Sequence, residues 1–238
     1  VKGDVGRVNG GTFGADGRKR RPRNGPREAL IPPIAAVFLL PFPGSLAAQS
    51  ADFPEPSAPG YAYMETLLEK TIFQVDVLTL QVWVGGEVAA PLRALEGKGA
   101  SDAVRDSVAR LAVHARDAWA RITFERGVSL GQFVGGIEGN MRRAVEADLL
   151  SEATAQMILD SIPLWFSVLE DRGIEEGDRL LYRVSGDTLR TRFMTRSGEI
   201  LVDQMDIGPE RRLSVFGSYF APGSEFRKGL TGFLLRRP

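Results

Sequence analysis

The sequence predicts an α+β protein, an antiparallel sheet with helices gathered against it. Three observations carry that reading. Residues 126–149, RGVSLGQFVGGIEGNMRRAVEADL, form one amphipathic helical pattern with a clear start. Residues 178–195 alternate as two strands around Gly186-Asp187. The remaining segments follow the order strand, helix, strand, helix, helix, three strands, helix, which suits an antiparallel sheet with segregated helices.

Residues 1–29 are glycine-rich, basic and without periodicity, and are expected to be disordered. The cluster Arg18-Lys19-Arg20-Arg21-Pro22-Arg23 is followed by an apolar run, Leu30–Leu46, and by small residues at Ser45, Ala47 and Ala48. Basic, apolar, small-x-small is the order of a secretory signal peptide. Four prolines and a short length argue against a retained membrane span. Segment 30–47 is therefore read as a signal peptide cleaved near Ala47, with export to the periplasm or the extracellular space. Residues 48–60 form a Pro-rich leader, and the folded domain is expected over 61–238.

Thr71–Val84, TIFQVDVLTLQVWV, is rich in β-branched and aromatic residues and predicts a strand. Its alternation slips between Val77 and Leu78, which predicts a β-bulge just after Asp76. Ser101 is placed to cap a helix reaching Leu111, and Ala118–Glu125 alternates as a strand. Ser129 and Gln132 then form a capping box, with Val128 and Phe133 as its hydrophobic staple. At about 100° per residue, Leu130, Phe133, Val134, Ile137, Met141, Ala144 and Val145 share one broad apolar face, with Asn140 at its edge. Gly131, Gly135, Gly136 and Gly139 each weaken this helix by about 1 kcal/mol relative to alanine, and imply that a backbone or a ligand passes close by. Ser151 caps a further helix that Pro163 is expected to kink or break. In the hairpin, a two-residue turn sets Val184 opposite Leu189, Tyr182 opposite Thr191 and Leu180 opposite Phe193. Arg183 then faces Arg190, a pair that could clamp a carboxylate but is expected to be a solvated face balanced by Glu199 and Asp203. Glu199–Gln204 completes the meander, and helices over Glu210–Phe220 and Ser224–Leu234 end the chain.

Composition removes several functions. Lys+Arg and Asp+Glu both number 30, but residues 1–48 hold eight basic and three acidic residues, leaving 22 basic and 27 acidic for residues 49–238. An acidic body is a poor partner for nucleic acid. Cysteine is absent and His114 is the one histidine, so no disulfide, thiolate nucleophile or Cys/His zinc site is available. Gly131 to Gly136 has P-loop spacing, but Ile137-Glu138 stands where Lys-Ser/Thr is required. No cofactor is expected.

Four segments together carry a family resemblance: TIFQVDVLTLQVWV, ITFERGVSLGQFVGGIEGNM (Ile122–Met141), GIEEGDRLLYRVSGDTLRTRF (Gly173–Phe193) and LSVFGSYFAPGSEFRKGL (Leu213–Leu230). The chain resembles the chalcone isomerase-like proteins of bacteria, which are often exported. The resemblance implies an open-faced sandwich with helices on one face of an antiparallel sheet. It places a ligand cleft between the sheet and the helix Leu130–Val145. True chalcone isomerases use an arginine, a tyrosine, an asparagine and small hydroxyl residues to stabilise a developing enolate. Here the asparagine matches Asn140, Ser218 falls at the C-terminal hydroxyl and Asp76 at the strand threonine. Phe133 replaces the tyrosine, and no arginine matches, Lys70 being the nearest cation. Such a site has little left to stabilise an oxyanion. The resemblance therefore implies a non-catalytic binder of a small apolar or carboxylate-bearing, fatty-acid-like ligand, as some relatives are, lined by Phe133, Ile137, Asn140 and Met141 with Ser218 and Asp76 as further polar groups. An isomerase or lyase of another compound, and a structural domain with a filled cleft, are the alternatives.

Overall fold

The computed structural model describes Pro54, residues 57–69 and 76–237; for Asp76 it describes the backbone. The signal-peptide assignment and most of the Pro-rich leader lie outside these residues, as do Lys70 and the first five residues of the long strand. Six strands form one antiparallel sheet in chain order: β1 (Ala62–Glu69), β2 (Asp76–Val84), β3 (Asp117–Phe124), β4 (Arg179–Ser185), β5 (Thr188–Met194) and β6 (Ile200–Ile207). Between β2 and β3 run α1 (Ala89–Arg93) and α2 (Asp102–Val113). Between β3 and β4 run α3 (Leu130–Glu146) and α4 (Glu152–Trp165), and α5 (Arg211–Phe220) and α6 (Glu225–Arg236) follow the sheet. The predicted α+β class is the observed one, with β1 and the short α1 added to the expected order.

Alternation sorts the sheet into two faces. Met64, Leu80, Val82, Ala120, Ile122, Leu180, Val184 and Phe193 join a single core. Every helix contributes to it: Leu92 of α1, Val108 of α2, Phe133 of α3, Ile158 of α4, Phe216 of α5 and Leu230 of α6. The opposite face mixes charged side chains with Trp83 and Trp119, over which Arg121 and Arg183 lie. Gln81 donates from Nε2 to Glu65 at 2.7 Å and accepts at Oε1 from Arg121 Nε at 2.7 Å. Arg190 grips Asp203 with two bonds of 2.7 Å, and Arg192 adds a third at 3.1 Å. Arg183 and Arg190 face one another in register as expected, but Arg183 pairs with Asp117 at 2.6 Å, so each guanidinium has its own carboxylate.

The predicted bulge is present. Leu68 pairs with Leu78 and Glu69 with Asp76, which leaves Val77 as the extra residue of β2. The β4–β5 turn has the expected register, and Gly186 takes the positive φ of 62° that the first position of a type II′ turn requires. Ser129 and Gln132 form both bonds of the capping box of α3. Pro163 does not break α4, which runs through it and ends two residues later at Trp165. One missing N–H this close to the helix end removes a single bond and leaves no length of helix to bend. Gly229 lets α6 cross β1, because a methyl group there would lie 2.7 Å from Thr66 Cβ.

One buried ion pair fixes the entry to β4. Asp178 is 0% exposed. Its carboxylate accepts from Arg172 at 2.6 and 3.0 Å and from the backbone N–H groups of Glu175 at 2.9 Å and Arg196 at 3.2 Å. Burial pushes this carboxyl up, but the Arg172 bonds and the backbone donors outweigh burial and hold it below the usual carboxylate range.

Candidate functional site

A cavity of about 400 Å³ lies between α3, the sheet and the junction of α5 with α6. Its walls are mostly hydrocarbon: Leu68, Val77 and Leu78 from the first hairpin, Ile122 and Phe124 from β3, Leu180 from β4, Phe133 and Ile137 from α3, and Phe226 from α6. Consecutive residues of a regular strand point to opposite faces. Val77 and Leu78 reach the same cavity because the bulge lies between β2 and β1 at that point.

The aromatic wall is fixed by edge contacts. The ring of Phe133 lies edge-on to Phe124 with centroids 6.0 Å apart, and to Phe166 at 5.3 Å. Phe133 is thus part of a packed cluster as well as a lining residue. The glycines of α3 do not meet a neighbouring backbone. A methyl group at Gly131, Gly135 or Gly136 would touch nothing within 4 Å, and one at Gly139 would meet only the Arg143 guanidinium at 3.6 Å. The expectation of a close backbone crossing is therefore corrected. Gly135, Gly136 and Gly139 instead leave space, and all three line the cavity.

Polar groups stand at two places. Arg126, Asn140 and Arg143 also line the cavity; Arg126, before the start of α3, is exposed, and Asn140 and Arg143, in its second half, are half-buried. Arg143 Nη1 donates to Asn140 Oδ1 at 3.2 Å, which leaves the amide N–H groups of Asn140 for another acceptor. Glu225 is the acidic residue of the same wall, so the two arginines outnumber it by one. Tyr182 and Tyr219, each over nine-tenths buried, line the same cavity from β4 and α5. Burial raises both phenols well above their ordinary range, so both are neutral.

Of the residues singled out in the sequence, Phe133, Ile137 and Asn140 are brought together in this cavity. Met141 lines a separate pocket of about 40 Å³ on the α4 side, which Ile137 also borders. Ser218 is buried and does not line the cavity; its hydroxyl donates to the Ser214 carbonyl one turn earlier in α5. The next residue, Tyr219, takes the place expected of it. Asp76 opens β2, and its side chain lies outside the described residues. His114 is exposed at the C-terminal end of α2, away from the cavity lining. Among the described residues, no group of three or more His, Cys, Asp or Glu is placed to hold a metal ion, and no helix is long and apolar enough to cross a membrane. Arg126, Arg143, Tyr182 and Tyr219 were not anticipated. The signal for Tyr182 was its place in the inward set of the hairpin, a tyrosine where the neighbouring positions are purely apolar.

No protein-family model matches the sequence, and no curated relative matches it. Among solved structures, the crystal structure of a fatty-acid binding protein from Arabidopsis thaliana matches with a TM-score of 0.44 at 12% identity, covering 74% of this chain and 88% of that one.

Proposed function

We propose that the cavity holds a small apolar ligand bearing a carboxylate, of the fatty-acid type, and that the protein acts as a binder rather than a catalyst. One observation supports this above the others. A largely hydrocarbon cavity of about 400 Å³ has two arginines and an asparagine amide in its lining, with Arg143 and Asn140 bonded to one another, a volume within the usual range of small-molecule sites. The chain of the ligand lies against Phe124, Phe133, Ile137 and Leu180. Its carboxylate takes charge-assisted bonds from Arg143 and Arg126 and a further bond from the Asn140 amide. Phe133 supplies no proton to a reacting oxygen, which favours binding over catalysis. The test is displacement of a fluorescent fatty-acid probe by a saturated fatty acid, together with native mass spectrometry of the purified protein. Saturable displacement is expected; no displacement and no co-purified acid would overturn the reading.

We also propose that the protein is exported, on the strength of the basic cluster at Arg18–Arg23 and the apolar run Leu30–Leu46. Fractionation of the native host followed by sequencing of the mature N-terminus tests it. A chain in the cytoplasm that retains residues before Leu30 would overturn it.

A further inference from the structure

Two phenols line a cavity whose other walls are mostly hydrocarbon. Tyr182 is 9% and Tyr219 6% exposed, whereas Arg126 and Arg143 of the same lining are exposed and half-buried. The sheet supplies one ring, from the middle of β4, and the helix layer supplies the other, from α5. Neither ring is free to turn away. Tyr182 stands between Ala120 and Thr191 on the neighbouring strands, and Tyr219 packs edge-on to Phe226 with centroids 5.2 Å apart.

Each hydroxyl carries one donor proton. The two phenols stand close enough to influence one another, and both residues line the cavity. A hydrocarbon chain pressed against these hydroxyls would strip them of water and give their protons no partner, which is costly. An ionised carboxylate is a poor candidate for this place. It would be buried beside two neutral phenols, whereas Arg143 and Asn140 offer it a charged and an amide donor elsewhere in the lining.

We propose that a phenolic proton of Tyr182 or Tyr219 is donated to a second oxygen on the ligand, so that the cavity selects oxygenated acids, whose chain carries a keto or hydroxyl group remote from the carboxylate. This rests on the carboxylate-binding reading above and adds the chemistry of the chain. The two sets of polar groups then have separate tasks. The arginines set the orientation of the ligand, and the phenols discriminate an oxygenated chain from a plain one.

The experiment uses the full chain and a set of saturated fatty acids of one length, each with a single keto group at a successive position, compared with the parent acid. Affinities are measured by displacement of the fluorescent probe for wild type, Tyr182→Phe, Tyr219→Phe and the double variant. Each substitution removes one oxygen and keeps the ring, so affinity for the parent acid reports whether the cavity is intact. At one keto position wild type is expected to bind about tenfold tighter than it binds the parent acid, the strength of one net hydrogen bond. That preference is expected to fall in each single variant and vanish in the double variant, which still binds the parent acid and binds it more tightly than wild type does, because the unpartnered donors are gone. Equal affinity for all the acids in wild type overturns the inference and leaves the binding function standing. So does a preference that survives in the double variant. Binding of no acid at all overturns both.

Discussion

Asn140 divides its polar atoms between the protein and the cavity. Its carbonyl accepts from Arg143, so the N–H groups are the part offered to a ligand. Asn140→Ala is expected to weaken fatty-acid binding by about tenfold, roughly one hydrogen bond to a charged group, while the melting temperature stays nearly constant. Arg143→Ala is expected to weaken it further, because the carboxylate then loses a charge-assisted donor. Probe displacement and thermal denaturation of the same samples check both. A marked fall in stability with unchanged affinity would assign Asn140 to the fold. A second outcome follows from Phe133, which packs edge-on to two phenylalanines and offers no proton. Flavanone formation from an ortho-hydroxychalcone should run at its spontaneous rate in the presence of the protein. An enzymatic rate abolished by Asn140→Ala would contradict this. At this scale the sequence was legible where a helix period applied, which placed Phe133, Ile137 and Asn140 together. It was misleading at Ser218, since one residue along a helix turns a side chain by about 100°, and Tyr219 is the residue that arrives. Tyr182 was hidden by its setting, because a tyrosine within an apolar stripe has the pattern of ordinary core.

Helix α3 carries a cost that its fold does not explain. Three of its glycines have open space beside them. Gly136→Ala should therefore stabilise the unliganded protein by up to about 1 kcal/mol and at the same time weaken ligand binding, since the new methyl group enters the cavity. Denaturant unfolding and probe displacement should move in opposite directions; a loss of both would mean that the glycine serves packing. At the start of the same helix, Ser129→Ala removes the cap bond to Gln132 and should cost about 1 kcal/mol. Element boundaries were readable wherever a cap or turn residue marked them, as at Ser129, Ser151 and Gly186. Strand β1 was not. Its sequence, AYMETLLE, is made largely of good helix formers, with Met64, Leu67 and Leu68 at helical spacing. Pairing with β2 over eight positions overrides that preference, and pairing between distant segments leaves no local mark.

For the molecule as a whole, Asp178 is the clearest electrostatic dependence. Removing it strands Arg172 beside a buried site, so Asp178→Ala should destabilise the protein by about 3 kcal/mol. Its folded pKa is held below the ordinary value, so the folded state prefers the ionised form. The contribution is complete above the ordinary carboxylate pKa and is lost as pH falls from about 4 towards the depressed folded value. Wild type should lose stability over that interval more steeply than Asp178→Asn, as measured by denaturant unfolding at successive pH values. The chain-order sheet has a consequence in time as well as in space. β4, β5 and β6 are joined by short turns and close locally. The union of β3 with β4 spans all of α3 and α4, and the entropy of closing that loop must be met before its contacts are gained. The cavity draws walls from both sides of this seam, from Val77, Leu78, Ile122 and Phe124 on one and Leu180 and Tyr182 on the other. It cannot be complete before that seam closes. In a refolding experiment, ligand capture would therefore follow the union of β3 with β4, arriving later than the local hairpins.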